Sequence, residues 1–384
     1  MSPHRHHHRF DRAVFVSVFA AVSAIASVYI YFLLFAEFAF LELARETIKN
    51  VNLTALMAAM GLAGVSGSLA AARWYSSEKG TSLLSLGFVA CAIAAGASLV
   101  AHTMVLAIIA AALVGASLAW TTVVLSLCLR PTLHLKKLGT WCGLGTGLAY
   151  AFCNQPPVFT ASSRTQIVIA IIVALFGFIV SFRLTSEPSK PSTSPDYHPF
   201  AAGLWVVLFL GLVWLDSGAF FILQSDPTLK AQTWDGALTL LGNAFVHLCA
   251  AVIAGLALDR RQLSLTLGAA LLLLVTACLI LGGSAQYFPT AKVLYTAGVS
   301  AYSAALVYFA ARGGKPWLSG ILFAVSGWFG SAAGISMAHT QDGVPLAFVL
   351  TTATVSITAF IARHFWLRHQ RVLAEASGLA NVRT

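Results

Sequence analysis

Residues 201–224 read AAGLWVVLFLGLVWLDSGAFFILQ, an apolar run in which Asp216 is the single charged residue. A helix rises about 1.5 Å per residue, so a run of this length crosses the ~30 Å hydrocarbon core of a bilayer. Such unbroken apolar stretches are typical of membrane-spanning helices. The run therefore predicts a transmembrane helix that carries one carboxylate inside the membrane.

The composition extends this prediction to the whole chain. Its 384 residues are 58% hydrophobic and only 9% charged, whereas soluble domains carry about 25% charged residues. Apolar runs of about 18 residues exclude a transmembrane barrel, because barrel strands alternate apolar and polar residues. No polar stretch is long enough for a soluble or nucleic-acid-binding domain. We therefore expect an all-helical, multi-pass membrane protein with the bilayer, and no nucleic acid, as a partner.

Outward from residue 201, the hydropathy pattern predicts twelve spans. They lie near residues 14–40, 51–72, 82–101, 103–128, 138–154, 165–184, 201–224, 236–258, 263–282, 291–312, 316–338 and 344–363. The third and fourth spans are separated only by a short break at Ala101–Thr103. The count of twelve depends on that break.

A polar segment divides the spans into two groups of six. Residues 185–200 (TSEPSKPSTSPDYHPF) contain four prolines and four serines, which is typical of a linker. We therefore predict an N-terminal six-helix bundle within residues 1–184, a linker over 185–200, and a C-terminal bundle with a short basic tail within 201–384.

The basic residues predict the orientation. If both termini and the linker are cytoplasmic, 18 of the 23 Lys and Arg residues fall on the cytoplasmic side. This distribution follows the positive-inside rule, so the net charge of +10 faces an anionic inner leaflet. The remaining five on the outer side are Arg45, Lys49, Arg164, Lys230 and Lys292.

Two loops carry a related pattern. After the eighth span the chain reads GLALDRR (255–261), and after the second it reads GSLAAAR (67–73). Together with twelve helices split by a polar linker, these loops resemble the major facilitator superfamily of secondary transporters. That family's signature is a glycine, three residues, an acid and a base, and in the first loop Ala71 replaces the acid. The resemblance implies gating loops that contain Gly255, Asp259, Arg260, Gly67 and Arg73.

A row of glycines in the fifth span is similar to an antiporter motif of the same family, with Leu144 in place of its proline. The row consists of Gly139, Gly143, Gly145 and Gly147. Close packing of helices is a second explanation for such a row. The resemblance as a whole implies alternating access about a central cavity.

Two carboxylates, Asp216 and Glu37, lie inside predicted spans, and all 23 basic residues lie at span ends or in loops. A charge in the hydrocarbon region costs about 2.5–3.5 kcal/mol on insertion scales, so such residues are functional candidates. Asp216 lies about 12 Å below the predicted outer face, and we predict that it carries a coupling proton. Glu37 is either a second proton site or an interfacial residue grouped with Glu42 and Glu46.

Further polar residues are predicted near Asp216. Asn243 and His247 are four residues apart on the eighth span and therefore share one helix face. His247 is predicted to assist proton transfer and Asn243 to position the carboxylate. The alternative for both residues is a hydrogen bond to a neighbouring helix, and for His247 it explains the residue equally well. The remaining candidates for a substrate cavity are Thr121, Thr122, Tyr295, Tyr302 and Trp328.

These residues favour a proton-coupled secondary active transporter in a cytoplasmic (inner) or plasma membrane. Anionic substrates usually need a basic clamp, and the spans contain none, so we expect a small neutral, amphipathic or cationic solute. The sequence has no HExxH, GxSxG or nucleotide-binding glycine motif. We therefore expect neither enzymatic activity nor a cofactor.

Two alternatives remain open. The first is transport of copper or another soft metal, which would use pairs of His with Cys or Met. The pairs are His247 with Cys249, His102 with Met104, and Met337 with His339. The N terminus is also rich in histidine (His4, His6, His7, His8). A non-transporting subunit or scaffold would explain the degenerate signature loops, but it gives no reason for Asp216 in the membrane.

Overall fold

The computed structural model describes residues 4–185, 190–283, 285–338 and 344–376. Within these ranges the chain is helical and has no β-strand. Eleven of the described helices are long and apolar enough to cross a bilayer. The prediction of an all-helical, multi-pass membrane protein is therefore confirmed.

Short connections join the long helices. The first six are α1 (His4–Ile30, continuing through Tyr31–Ala39 and Phe40–Thr47), α2 (Leu53–Trp74), α3 (Gly80–Leu99), α4 (Met104–Thr132), α5 (Leu138–Cys153) and α6 (Ser163–Ser181). The others are α7 (Pro199–Ser225), α8 (Ala237–Asp259), α9 (Leu263–Leu281), α10 (Phe288–Gly313), α11 (Pro316–Leu322, continuing through Phe323–Phe329 and Gly330–Ala338) and α12 (Leu346–Ala376). Short helices at Pro156–Phe159 and Pro227–Thr233 follow α5 and α7.

The predicted span that is not among these eleven is the fifth, residues 138–154, which corresponds to α5, the shortest of the long helices. Its 16 residues extend about 24 Å at 1.5 Å per residue, less than the ~30 Å hydrocarbon core. The count of twelve spans and the cytoplasmic location of both termini stay predictions. The break between the third and fourth spans is present, because α3 ends at Leu99 and α4 begins at Met104. The side chain of Thr103 caps α4 by accepting a hydrogen bond from the Leu106 backbone N–H at 3.4 Å.

Helix α1 continues seven residues past its predicted end at residue 40, to Thr47. The added turns are amphipathic: Phe40, Leu43 and Ala44 are buried, whereas Glu42 and Arg45 form an exposed ion pair at 3.1 Å. The sequence prediction stopped where the apolar run stopped, whereas one-sided burial sustains the helix further.

Glycines permit backbone contact between helices at one end of the molecule. A Cβ atom at Gly143 of α5 would lie 2.1 Å from the backbone oxygen of Ala251 in α8, and one at Gly139 would lie 2.4 Å from that of Gly255. Gly67 of α2 packs against the backbone of Ala116 in α4 in the same way. Any larger side chain at these positions would push the helices apart.

The described part of the linker packs against the same end of the molecule, which we call the linker face. The Ser192 N–H donates to the Gly313 carbonyl at 3.0 Å, and Lys315 donates to the Tyr197 carbonyl at 2.8 Å. Asp196 pairs with Arg363 of α12. Burial raises the pKa of the Tyr197 phenol well above its ordinary value, so Tyr197 is neutral at physiological pH. The division into two bundles around this linker stays a prediction.

A cavity with two carboxylates

A cavity of about 760 Å³ opens away from the linker face. Its wall is formed by α1, α2, α4, α5, α6, α7, α8, α10 and α11, and it extends from His247 to Arg45 and Lys230. Lys230 and the side chain of Arg45, which is 50% accessible, are exposed at this mouth. Its volume is within the range of small-molecule sites, about 300–1,000 Å³.

Asp216 lies on the cavity wall and is held by two tyrosines of α10. The phenolic hydroxyl of Tyr295 donates to one carboxylate oxygen and that of Tyr302 to the other. Tyr295 and Tyr302 are seven residues apart on α10, so their side chains lie on one helix face. Two donors suit an ionised carboxylate, which only accepts hydrogen bonds and has about four acceptor sites. Two of these acceptor sites are therefore left for a ligand or a proton.

Glu37 lies on the same cavity wall as Asp216. It belongs to the segment Tyr31–Ala39, which is wound as a π-helix within α1. In the described part of the chain, neither carboxylate forms an ion pair with a basic side chain. Glu37 thus lines the same cavity as Asp216, ten residues before the end of α1, whereas Glu46 is exposed near that end.

His247 also lines the cavity, but its hydrogen bond is to α10. Its Nδ1 is 2.7 Å from the Ser300 hydroxyl oxygen, and its ring stacks on that of Tyr150 with centroids 4.3 Å apart. No direct hydrogen bond joins His247 to Asp216 among the described residues. Asn243 is buried and donates to the Thr233 carbonyl at 3.1 Å. Its amide therefore fixes the short helix before α8, whereas the two tyrosines position Asp216.

The other predicted cavity residues divide into two groups. Thr122, Tyr295, Tyr302 and Trp328 line the cavity. Trp328 belongs to Phe323–Phe329 of α11, the second π-helical segment. Thr121 is fully buried and donates to the Ser117 carbonyl at 2.7 Å, so its hydroxyl faces the packing between α3 and α4.

The predicted gating residues lie at or near the linker face, where Asp259 caps α5. Its carboxylate accepts from the backbone N–H groups of Gly139 at 2.7 Å and Thr140 at 3.0 Å. A negative charge at a helix N terminus is stabilising, and Lys137, the residue at the N-cap position, provides no side-chain cap. Gly255 supplies the close contact with α5, whereas Arg73 and Arg260 are exposed.

Sequence reasoning missed the tyrosines that connect α10 to α1 and α5. The Tyr29 hydroxyl donates to the Ser303 carbonyl at 3.2 Å, and the Tyr150 hydroxyl lies 3.0 Å from the Ser303 hydroxyl. Tyrosines inside predicted spans were an available signal, because a buried phenol needs a hydrogen-bond partner.

Sequence reasoning also missed an aromatic cluster beside Asp216. Phe220 contacts Phe38 and Trp234, each with ring centroids 5.4 Å apart, and stacks on Tyr295 at 6.3 Å. All four side chains line the cavity. No local pattern marks this cluster, because its members come from α1, α7, α10 and the loop before α8.

No group of three or more His, Cys, Asp or Glu side chains able to hold a metal ion occurs among the described residues. His339, one of the residues considered for metal transport, lies outside the described residues. The side chains of His4, His6, His7 and His8 lie outside them as well.

No family model matches the sequence, and the comparison with curated proteins found no match. Solved structures, in contrast, are similar in fold. The crystal structure of the human organic anion transporter MFSD10 (TETRAN) superposes with a TM-score of 0.64 and 14% identity, covering 94% of this chain and all of that one. The major facilitator transporter FucP, in its outward conformation, superposes with a TM-score of 0.59 and 13% identity, covering 92% of this chain and 99% of the other. The chain therefore has the fold of the major facilitator superfamily of transporters.

Proposed function

We propose that this protein is a proton-coupled secondary transporter that moves a small solute by alternating access. The observation that carries the proposal is Asp216, a carboxylate inside a membrane-spanning helix on the wall of a cavity of about 760 Å³. A structural carboxylate in the membrane is expensive and needs a partner that neutralises it. Asp216 has two neutral phenols instead, so a proton or a ligand is the natural source of positive charge.

The cavity is open at the mouth and closed at the linker face, as alternating access requires of one state. Backbone contact between α5 and α8 supports the closure, and exposed Arg45 and Lys230 mark the opening. With both termini cytoplasmic, this is an outward-facing state in a cytoplasmic or plasma membrane. Protonation of Asp216 would change its bonds to Tyr295 and Tyr302 and so bias the two states differently.

The charges of the cavity favour a neutral, amphipathic or cationic solute. MFSD10 is described as an organic anion transporter, but an anion in this cavity would meet Asp216 and Glu37. The basic residues of the cavity wall, Arg45 and Lys230, lie at its exposed mouth. We therefore do not extend the anion preference to this chain.

A thermal-shift screen followed by uptake into proteoliposomes tests the proposal. Purified protein is melted with a panel of small organic solutes and with copper and zinc salts at pH 5.5 and 7.5. A ligand at 100 times its Kd stabilises the folded state by about 2.7 kcal/mol. We expect an organic solute to bind in a pH-dependent manner, and an imposed proton gradient to drive its uptake.

Two isosteric variants make the test specific. Asp216→Asn should abolish gradient-driven uptake, whereas Asp235→Asn, at an exposed loop residue outside the cavity wall, should leave it unchanged. Equal uptake by both variants contradicts the role of Asp216. A response to metal salts alone favours the metal transporter, and no response to any compound favours the scaffold.

A further inference from the structure

The cavity wall carries an uncompensated negative charge at its centre. Five charged residues contribute to the wall, and the Glu42–Arg45 ion pair at 3.1 Å cancels two of them. Lys230 is exposed at the mouth. Asp216 and Glu37 remain, both on the wall of this cavity, and neither forms an ion pair with a basic side chain in the described part of the chain. Two like charges in a low-dielectric site are not both ionised without a compensating cation.

The compensating charge has two possible sources, a proton or a bound cation. Because the ionised Asp216 has acceptor sites beyond those used by Tyr295 and Tyr302, a cationic group has room to bind it. When a monocation binds, a proton held by one of the two carboxyl groups leaves to water at the mouth. One positive charge then replaces another, and the net charge of the site is unchanged.

The side chains around the two carboxylates favour an organic ligand, because they can contact its non-polar part. Phe38, Phe220, Trp234 and Tyr295 form a continuous aromatic cluster, and the hydroxyl of Tyr295 reaches Asp216. Aromatic rings attract organic cations through their faces and bury apolar surface. An inorganic cation that has lost its water shell would need several oxygen ligands from the protein, whereas the cavity wall is mainly apolar and its volume is about 760 Å³.

From these observations we infer that the substrate is an organic monocation with an aromatic or aliphatic body, and that it exchanges with a proton at the Asp216–Glu37 pair. This inference rests on the proposed transport function and specifies its substrate class and its mode, which is antiport. Asp216 and Glu37 hold the cationic centre. Its aromatic or aliphatic part contacts the cluster of Phe38, Phe220, Trp234 and Tyr295.

Binding of tetraphenylphosphonium to the full-length protein in lipid nanodiscs tests the inference, with tetraphenylborate as an anion of the same shape. Benzyltrimethylammonium is the smaller second cation, and sodium and potassium chloride are the inorganic controls. We expect a cation to bind, tetraphenylborate not to bind, and the apparent Kd to rise up to about tenfold per pH unit on acidification. Binding at neutral pH in weak buffer should release protons, up to one per bound cation.

Three variants locate the site. Asp216→Asn and Glu37→Gln should each weaken cation binding at least tenfold and remove the proton release, whereas Asp235→Asn should change neither. If a carboxylate variant fails to fold, two measurements on the unmodified protein still test the inference. These are the difference in binding between tetraphenylphosphonium and tetraphenylborate, and the proton release when the cation binds. Equal binding of the borate, binding without proton release, or a response to inorganic cations alone would overturn the inference.

The inference and the proposed function fail in different ways. A neutral solute that binds with a pH dependence abolished by Asp216→Asn, while no organic cation binds, would overturn the inference and leave the proton-coupled transporter intact. If neither cations nor neutral solutes bind, both are overturned.

Discussion

The two ends of the cavity use opposite kinds of residue. At the linker face, glycines of α5 and α8 bring two backbones together, and Asp259 accepts two backbone N–H groups. In the cavity, aromatic side chains line the wall, and Asp216 accepts two phenolic hydroxyls. Asp259 is fixed by the start of a helix, whereas Asp216 faces a space that a ligand can enter. The partners of a carboxylate, more than its residue type, therefore decide whether it supports the structure or binds a ligand.

Among variants that affect only one of the two ends, Tyr302→Phe in the cavity is expected to have the largest effect, a shift in the pH midpoint of coupled uptake. It removes one of the two donors to Asp216, and hydrogen bonds to charged groups contribute about 1.5–3 kcal/mol. Losing a donor to the ionised form disfavours that form, so the pH midpoint of coupled uptake should move upward by about one unit or more. Tyr287→Phe, at a tyrosine that is 55% exposed, is the control and should not shift the midpoint. An unchanged midpoint in Tyr302→Phe would mean that the hydroxyl does not act on Asp216.

At the closed end, Gly143→Ala should lower stability. The added methyl group would lie 2.1 Å from the backbone oxygen of Ala251, and overpacking of this kind costs about 1–3 kcal/mol. The matched control is Gly242→Ala in α8, where nothing lies within 4 Å of the added Cβ. Thermal melting should show a lower midpoint for the first variant only. Equal melting of the two would argue against backbone contact between α5 and α8.

A smaller loss of stability is expected from Asp259→Ala, because this variant removes the cap of α5. Loss of an N-terminal cap costs about 0.5–2 kcal/mol. Thermal melting should detect this loss, while ligand affinity in the cavity should stay the same, because Asp259 lies at the linker face. A change in affinity with no change in stability would instead link the two ends directly.

The smallest effect is expected from Asp196→Asn in the linker. This variant weakens the ion pair with Arg363, and pairs near the surface contribute about 0–1 kcal/mol. The stacking of Tyr197 on Phe309, with centroids 5.0 Å apart, should still hold the linker. A large fall in the melting midpoint would show that the ion pair, rather than this stacking, fixes the linker to α10 and α12.

Much of the fold was readable from sequence because membrane helices have a strong local signal. Every backbone polar group in hydrocarbon must be satisfied within the helix, so apolar run length predicts spans directly. Even the short break before Met104 was correctly predicted. The apolar signal ends too early in α1, which continues to Thr47 on one-sided burial. Helix α5 has only 16 residues, and its crossing of the membrane stays a prediction.

The candidate site was only partly readable. Asp216 and Glu37 stand out in sequence because charges in apolar runs are costly, and both line the cavity. The predicted partners of Asp216 were Asn243 and His247, chosen for their depth in the neighbouring span. Depth gives the position along a helix but not its rotation about its axis, and the rotation of α8 turns Asn243 toward Thr233 and His247 toward Ser300.

The sequence by itself determined that the chain is helical, that it lies in a membrane, and that two carboxylates lie within its apolar runs. These properties follow from local composition, because hydrophobic length and charge act on each helix separately. Only the tertiary structure decided that Tyr295 and Tyr302 hold Asp216, that Asp259 caps α5, and that an aromatic cluster borders the carboxylates. These contacts join helices distant in sequence, and they depend on how each helix is rotated and how closely glycine lets it approach its neighbours.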